Sequence, residues 1–435
     1  MSEITVGLLN LAILLILFLS GIELGFAMAI MGFLGFSYVV SMPAALNLMA
    51  KDFFDVFASY GFTVIPLFVF MGQIAFNAGI ARKLFDAAHK FIGHIPGGLA
   101  IATVVGATVF KAICGSSPAT AATFASVAVP EMDRFGYAKK LSTGIVATVG
   151  TLGILIPPSV TLIVFGVITE QSIGRLFMAG LLPGLLIAFF FIVIIIGWAK
   201  INPAIAPRTD KFGWGPRMKS VPEVLWPVLI FLIVIGGLLK GFFTPSEAGS
   251  IGAAAVLVLA LLKRSLGWRE FVRSVDESLR TACMVIMLIA GSTVLGHFIA
   301  VTNIPAIAAD WIAALPLPSW LIMIVIMIFY LLGGSFIDDL AFMILATPIF
   351  YPAIIRLGYD PTWFGIMIGI TVMAGVVIPP VAINVFVVKN ITKTPFSVIY
   401  AGVYPFLLSL FFAAVILFVF NPLATWLPTL LYGPG

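Results

Sequence analysis

Charge is scarce in this 435-residue sequence: 9% of residues are Asp, Glu, Lys or Arg, against 62% hydrophobic residues and a mean hydropathy of +1.19. So little polar surface cannot cover a soluble domain, and that class is excluded. Cysteine is nearly absent, and the two present, Cys114 and Cys283, lie in apolar surroundings that argue against a disulfide framework or a thiolate metal cluster. No G-x-x-x-x-G-K-[ST] run occurs, so the phosphate cradle used in ATP hydrolysis is missing. The 23 basic and 18 acidic side chains sum to +5 and fall mostly between apolar runs. There they report membrane orientation and give no sign of nucleic-acid binding.

What the sequence has in abundance is apolar runs of spanning length, which make it an all-α polytopic membrane protein in the lipid bilayer. Met1-Ser-Glu-Ile4 lacks the basic start of a cleavable signal, so the first helix is expected to stay. Runs at 5–20, 24–40 and 62–80 read as helices joined through a loop over 41–61 that is not basic. Over 82–95, Arg82, Lys83, Asp86, His89 and Lys90 share one helical face and Leu84, Phe85, Ala88, Phe91, Ile92 and Ile95 the other, which predicts an interfacial helix. Two apolar half-segments within 98–130 flank Gly115-Ser-Ser-Pro118, each too short to span, and predict a re-entrant hairpin. The charged stretch 131–140 returns to the cytoplasm.

The next segment, 142–169, holds Gly150-Thr-Leu-Gly-Ile-Leu-Ile-Pro-Pro-Ser159. Two consecutive prolines break the hydrogen-bond ladder of a helix and free carbonyls that lipid cannot satisfy, so the break needs a protein-lined cavity. The same feature recurs at Ala374-Gly-Val-Val-Ile-Pro-Pro380 within 362–389. Between them come a helix near 176–198, a linker over 199–224 expected to be cytoplasmic, helices near 225–240 and 246–262, and a basic loop over 263–280. Then follow a helix to about 299, an interfacial segment at 304–314 and a second hairpin over 319–353; a last helix covers 396–420. Gly72, Gly115-Ser116, Pro130 and the first proline pair match Gly291, Gly334-Ser335, Pro348 and the second pair at a near-constant offset of about 220 residues. Equivalent loops carry opposite charge bias. The predicted organisation is two inverted-topology repeats, 1–198 and 225–435, with both termini periplasmic.

In such repeats, discontinuous helices supply free carbonyls for cations and N-terminal dipoles for anions near the midplane. The first pocket offers neutral oxygens from Ser116, Ser117 and Thr120 with the carbonyls around Gly153 and Ile156, a set suited to a hard monovalent cation. The second offers Ser335, Asp338 and Asp339 with the carbonyls around Gly375 and Ile378, where Na⁺ or H⁺ would fit. The bland account, that these small residues only let helices pack closely, leaves the duplicated prolines unexplained. Lys111 either faces a cavity and an anionic substrate or snorkels to the near interface. Asn384 is a candidate substrate or ion ligand, with a helix-to-helix hydrogen bond as its alternative. His297 reads as a packing residue, and Glu23 and Glu247 as helix-start acids.

These same residues carry a resemblance. Gly115-Ser-Ser-Pro-Ala-Thr-Ala-Ala122, Val129-Pro-Glu-Met132, Leu155-Ile-Pro-Pro-Ser159, Gly166-Val-Ile-Thr-Glu-Gln-Ser-Ile173, Thr244-Pro-Ser-Glu-Ala-Gly249 and Ile378-Pro-Pro-Val381 with Asn384 resemble the large membrane subunit (DctM-like) of tripartite ATP-independent periplasmic (TRAP) transporters. The resemblance covers nearly the whole chain. It implies an elevator-type secondary transporter of the inner membrane, not an enzyme, that takes up an organic acid such as a C4-dicarboxylate or sialic acid by sodium symport. It also implies two partners: a small four-helix membrane subunit and a periplasmic substrate-binding protein. Sodium ligands carry over onto Ser116, Ser117, Gly153, Ile156 and Pro158, and onto Gly334, Ser335, Asp338, Gly375, Ile378 and Pro380. Lys111 and Asp339 depart from the family pattern, and with Thr120 and Asn384 they are the candidate substrate contacts. One alternative is a dicarboxylate or anion symporter of similar fold that needs no binding protein. An aspartyl hydrolase on Asp338 and Asp339 is disfavoured, because neighbouring acids on one tip would not face each other as an acid–base dyad.

Overall fold

The computed structural model describes residues 3–433, apart from the side chains of Leu19, Ala313 and Asp339. The expected substrate contact of Asp339 therefore lies outside the described residues. Among these residues the chain is helical and has no strand, and seven helices are long and apolar enough to cross a membrane.

Helices α1 (Glu3–Leu19) and α2 (Leu24–Val39) are the first two apolar runs. The expected loop over 41–61 is instead mostly helix α3 (Met42–Ala58), whose N-cap Ser41 accepts a hydrogen bond from the Ala44 amide. Its inward face is Ala45, Asp52 and Val56, and an acid among the buried positions hid the apolar period. Asp52 is hydrogen-bonded to His297 Nδ1 at 2.8 Å, the packing role expected of that histidine. After α4 (Val64–Asn77) comes α5 (Ile80–Ile92), the predicted amphipathic helix. His89 was assigned to its polar face but is buried, 3.3 Å from Thr209 Oγ1 and ringed by Phe85, Phe135 and Phe212.

The first hairpin is α6 (Gly98–Lys111) and α7 (Ser117–Arg134), joined through a tip at 112–116. At about 1.5 Å per residue α6 is about 21 Å long, short of the about 30 Å hydrocarbon core. Helix α7 runs through Pro130 to Arg134, so the charged stretch begins inside it. The broken segment is α8 (Lys139–Val149), a 3-10 turn over Gly150–Ile154 and α9 (Val160–Ile168), with a cis Pro157–Pro158 bond between. Ser159 ties the break: its Oγ donates to Ile154 O at 2.6 Å and accepts from Leu162 N at 3.3 Å. Helix α10 (Ile173–Ile201) closes this half.

The linker is shorter than expected, because α11 (Trp214–Leu239) begins well before 225 and absorbs Pro222 and Pro227. Its first turns are held against α5: Arg217 Nε donates to Lys90 O at 3.0 Å, and the guanidinium lies over the Trp214 ring. Helix α12 (Pro245–Leu262) carries the expected helix-start acid, with Thr244 and Glu247 forming a reciprocal capping box. The basic loop ends at Gly267, because α13 (Trp268–Val301) starts there and arranges its charges as i,i+4 pairs, Arg273 with Glu277 and Arg280 with Asp276.

The chain then runs through α14 (Ile304–Ala313), where Asp310 pairs with Arg356, and the second hairpin, α15 (Ser319–Phe336) with α16 (Asp339–Arg356). The second broken segment is α17 (Pro361–Gly375) and α18 (Ile383–Thr392), again around a cis Pro379–Pro380 bond. Helix α19 (Phe396–Val419) follows, and then α20 (Pro422–Tyr432), which the sequence reading did not anticipate. Backbones touch where a helix presents a glycine to its neighbour. A Cβ on Gly32 of α2 would fall 2.6 Å from Leu295 N of α13, and one on Gly144 of α8 would fall 2.5 Å from Gly402 Cα of α19.

Candidate functional site

Both hairpin tips end in a helix N-terminus. Ser116 caps α7, its Oγ accepting from Ala119 N at 3.3 Å, and Asp338 caps α16, its Oδ1 accepting from Ala341 N at 3.2 Å. Both breaks restart a helix as well, α9 after Ser159 and α18 after Ala382, whose positive φ turns the chain. These four N-termini face one cavity of about 180 Å³ between the halves, lined by Ser117, Thr161, Thr281, Asp338 and Asn384 among others. Each places the positive end of its helix dipole at the cavity.

Each tip rests on the break of its own half. A Cβ on Gly115 would fall 2.6 Å from Pro158 O; one on Gly375 would fall 3.0 Å from the Gly334 carbonyl carbon. At the second tip Val381 N donates to Ser335 O at 3.1 Å. The two halves are cross-linked at Asn384, which is fully buried: its Nδ2 donates to Ser117 Oγ and to Ala147 O, both at 3.0 Å. Asn384 thus makes the helix-to-helix bond, and it also lines the cavity.

The structure brings Ser116, Ser117, Gly153 and Pro158 together at one tip and Gly334, Ser335, Asp338 and Gly375 at the other. Ile156 packs its side chain on α10, where a Cβ on Gly184 would meet it at 2.7 Å. Ile378 turns its side chain to an outer apolar groove with Trp320 and Phe411, and Pro380 is exposed, so at these two positions only backbone can serve the tip. Thr120 and Lys111 do not line the cavity. Both are fully buried and both donate to Ser116 O, Thr120 Oγ1 at 3.0 Å and Lys111 Nζ at 2.7 Å. Lys111 therefore neither snorkels nor reaches the cavity. Thr161 and Thr281 also line the cavity; Thr161 follows the proline pair and carries a signal in the sequence, whereas Thr281 falls at the start of the expected helix to about 299, where nothing marks it.

At the second tip the Asp338 carboxylate lines the cavity and is a hard oxygen donor that fits a monovalent cation. At the first tip the Lys111 Nζ is already bonded to the Ser116 carbonyl and lies against Gly153, two of the residues expected to hold sodium there. No cluster of His, Cys, Asp or Glu able to hold a heavier metal occurs among the described residues, and both cysteines are free.

Residues 11–423 match the family described as the DctM component of the tripartite ATP-independent periplasmic transporter. The chain is 35% identical over 389 residues to the C4-dicarboxylate TRAP transporter large permease protein DctM of Pseudomonas aeruginosa, covering 89% of this chain and 88% of that one. It is 29% identical to the sialic acid TRAP transporter large permease protein SiaM of Vibrio cholerae, over 96% of this chain and 97% of that one. In fold it is similar to the Alcanivorax borkumensis YdaH transporter, with a TM-score of 0.66 at 13% identity, over 89% of this chain and 90% of that one. The chain belongs to the DctM family of TRAP transporter large permeases. It is a multi-pass membrane permease and not an enzyme.

Proposed function

We propose that this permease takes up an organic acid anion, of the C4-dicarboxylate, sialic acid or related carboxylate class, by sodium symport across the inner membrane. The observation that carries the reading is the cavity on which four helix N-termini converge, two from each half, with no basic side chain in its lining. Amide dipoles and hydroxyls such as Ser117, Thr161 and Thr281 would receive the carboxylate. Sodium would be held by Asp338 with the backbone of Gly334, Ser335, Gly375, Ile378 and Pro380. Bound there, it would supply the positive charge that the acidic tip needs before an anion can approach, so ion and substrate binding are coupled.

The two halves act as inverted repeats. The hairpins and broken helices form a mobile transport domain that moves like an elevator, while α1–α5 and α11–α14 form the scaffold, and both termini are periplasmic. A small four-helix subunit joins the scaffold, and a periplasmic binding protein delivers substrate. The test is Asp338→Ala in proteoliposomes holding both partners: sodium dependence of uptake should fall at least about tenfold. An unchanged sodium dependence removes Asp338 from the site.

A further inference from the structure

Lys111 is the one fully buried lysine among the described residues, at the end of α6, and the transport reading gives it no task. Its ammonium is not left over from packing. Nζ donates to Ser116 O at 2.7 Å, the carbonyl at the first tip that also accepts from Thr120. Gly153 makes room for it: a Cβ there would fall 2.6 Å from Lys111 Cδ, and closer still to Nζ. No ion pair is formed with a carboxylate among the described residues. A buried charge without a counter-ion persists only where oxygen dipoles solvate it, and here the dipole is the Ser116 carbonyl, at the tip where a metal ion is otherwise expected.

The other half provides the contrast. The offset that matches Ser116 with Ser335 matches Lys111 with Tyr330, whose hydroxyl is 3.2 Å from Thr347 Oγ1. The second tip has no built-in cation and carries a carboxylate, Asp338; the first has neutral oxygens and an ammonium. The two tips thus solve the same charge problem in opposite ways.

We propose that the Lys111 ammonium is a tethered cation that takes the place of a sodium ion at the first tip. The tip is then ordered in every state of the transport cycle, and sodium acts only at the second. This rests on the sodium reading of the second tip given above. Like charges a few ångström apart in a low-dielectric interior repel strongly, so a sodium ion and this ammonium do not share the tip.

The test is radiosodium retained by the purified full chain in lipid nanodiscs, comparing wild type, Asp338→Asn, and Asp338→Asn combined with Lys111→Ala. Wild type should retain sodium, Asp338→Asn should lose it by more than about tenfold, and removal of the lysine should restore it. Sodium retained by Asp338→Asn alone places an ion beside the lysine and overturns the proposal without touching the sodium reading. A folded double variant that regains none also overturns it. Wild type that retains none defeats the sodium reading instead, and a gain on removing Lys111 would still support the tethered cation. Should the double variant not fold, Asp338→Asn, which keeps Lys111, decides alone: loss of the wild-type signal supports the proposal and retention overturns it.

Discussion

Asn384 shows how one side chain can hold two halves together. Its amide donates to Ser117 Oγ and Ala147 O from a fully buried position beside the cavity. Asn384→Ala should destabilise the protein by about 1–3 kcal/mol for each group left unpartnered, read as a lower thermal unfolding midpoint. His89 is a second residue with a measurable consequence. Burial lowers its pKa, outweighing the nearby Glu131 and Asp86, which raise it. The unfolded or undocked chain therefore takes up a proton first as pH falls. The stability it lends is complete above the ordinary value of about 6.5 and is lost progressively below it, down to the folded pKa. The protection factors of amides in residues 202–213, corrected for the intrinsic pH dependence of exchange, should fall as pH drops below about 6.5, and His89→Gln should flatten that response.

At the scale of elements, the close contacts between helices and between tip and break depend on missing side chains. Gly375→Ala puts a Cβ 3.0 Å from the Gly334 carbonyl carbon, against backbone that cannot rotate away. Transport should fall steeply while the protein still folds. Gly236→Ala, which meets nothing within 4 Å, is the matched control and should be neutral or stabilising by up to about 1 kcal/mol. Gly32→Leu should go further and separate α2 from α13, seen as loss of folded protein on size exclusion. The breaks were legible because paired prolines are costly in a lipid-embedded helix and have few explanations; of the expected half-length hairpin segments, α6 is short, whereas α15 is long enough to span. Helix α3 and the start of α13 were not, because charged residues at helical spacing imitate loops until their partners, His297 for Asp52 and Glu277 for Arg273, are known. The linker misled for a related reason: Arg217 looks solvated in sequence, yet it is buried and bonded to Lys90 O of α5. At the site, the tip residues were legible, whereas Thr281 and the seat of Lys111 depend on contacts between distant segments.

In the whole molecule four helix N-termini surround one cavity, with a carboxylate at one tip and a lysine at the other. The central claim is that a sodium gradient drives anion uptake through that cavity. Its most direct test is accumulation of radiolabelled C4-dicarboxylate or sialic acid in proteoliposomes containing the chain, its small subunit and its binding protein, at fixed membrane potential, with and without an inward sodium gradient. The account predicts accumulation only with the gradient and the binding protein present. Equal uptake after the sodium gradient is removed would contradict it.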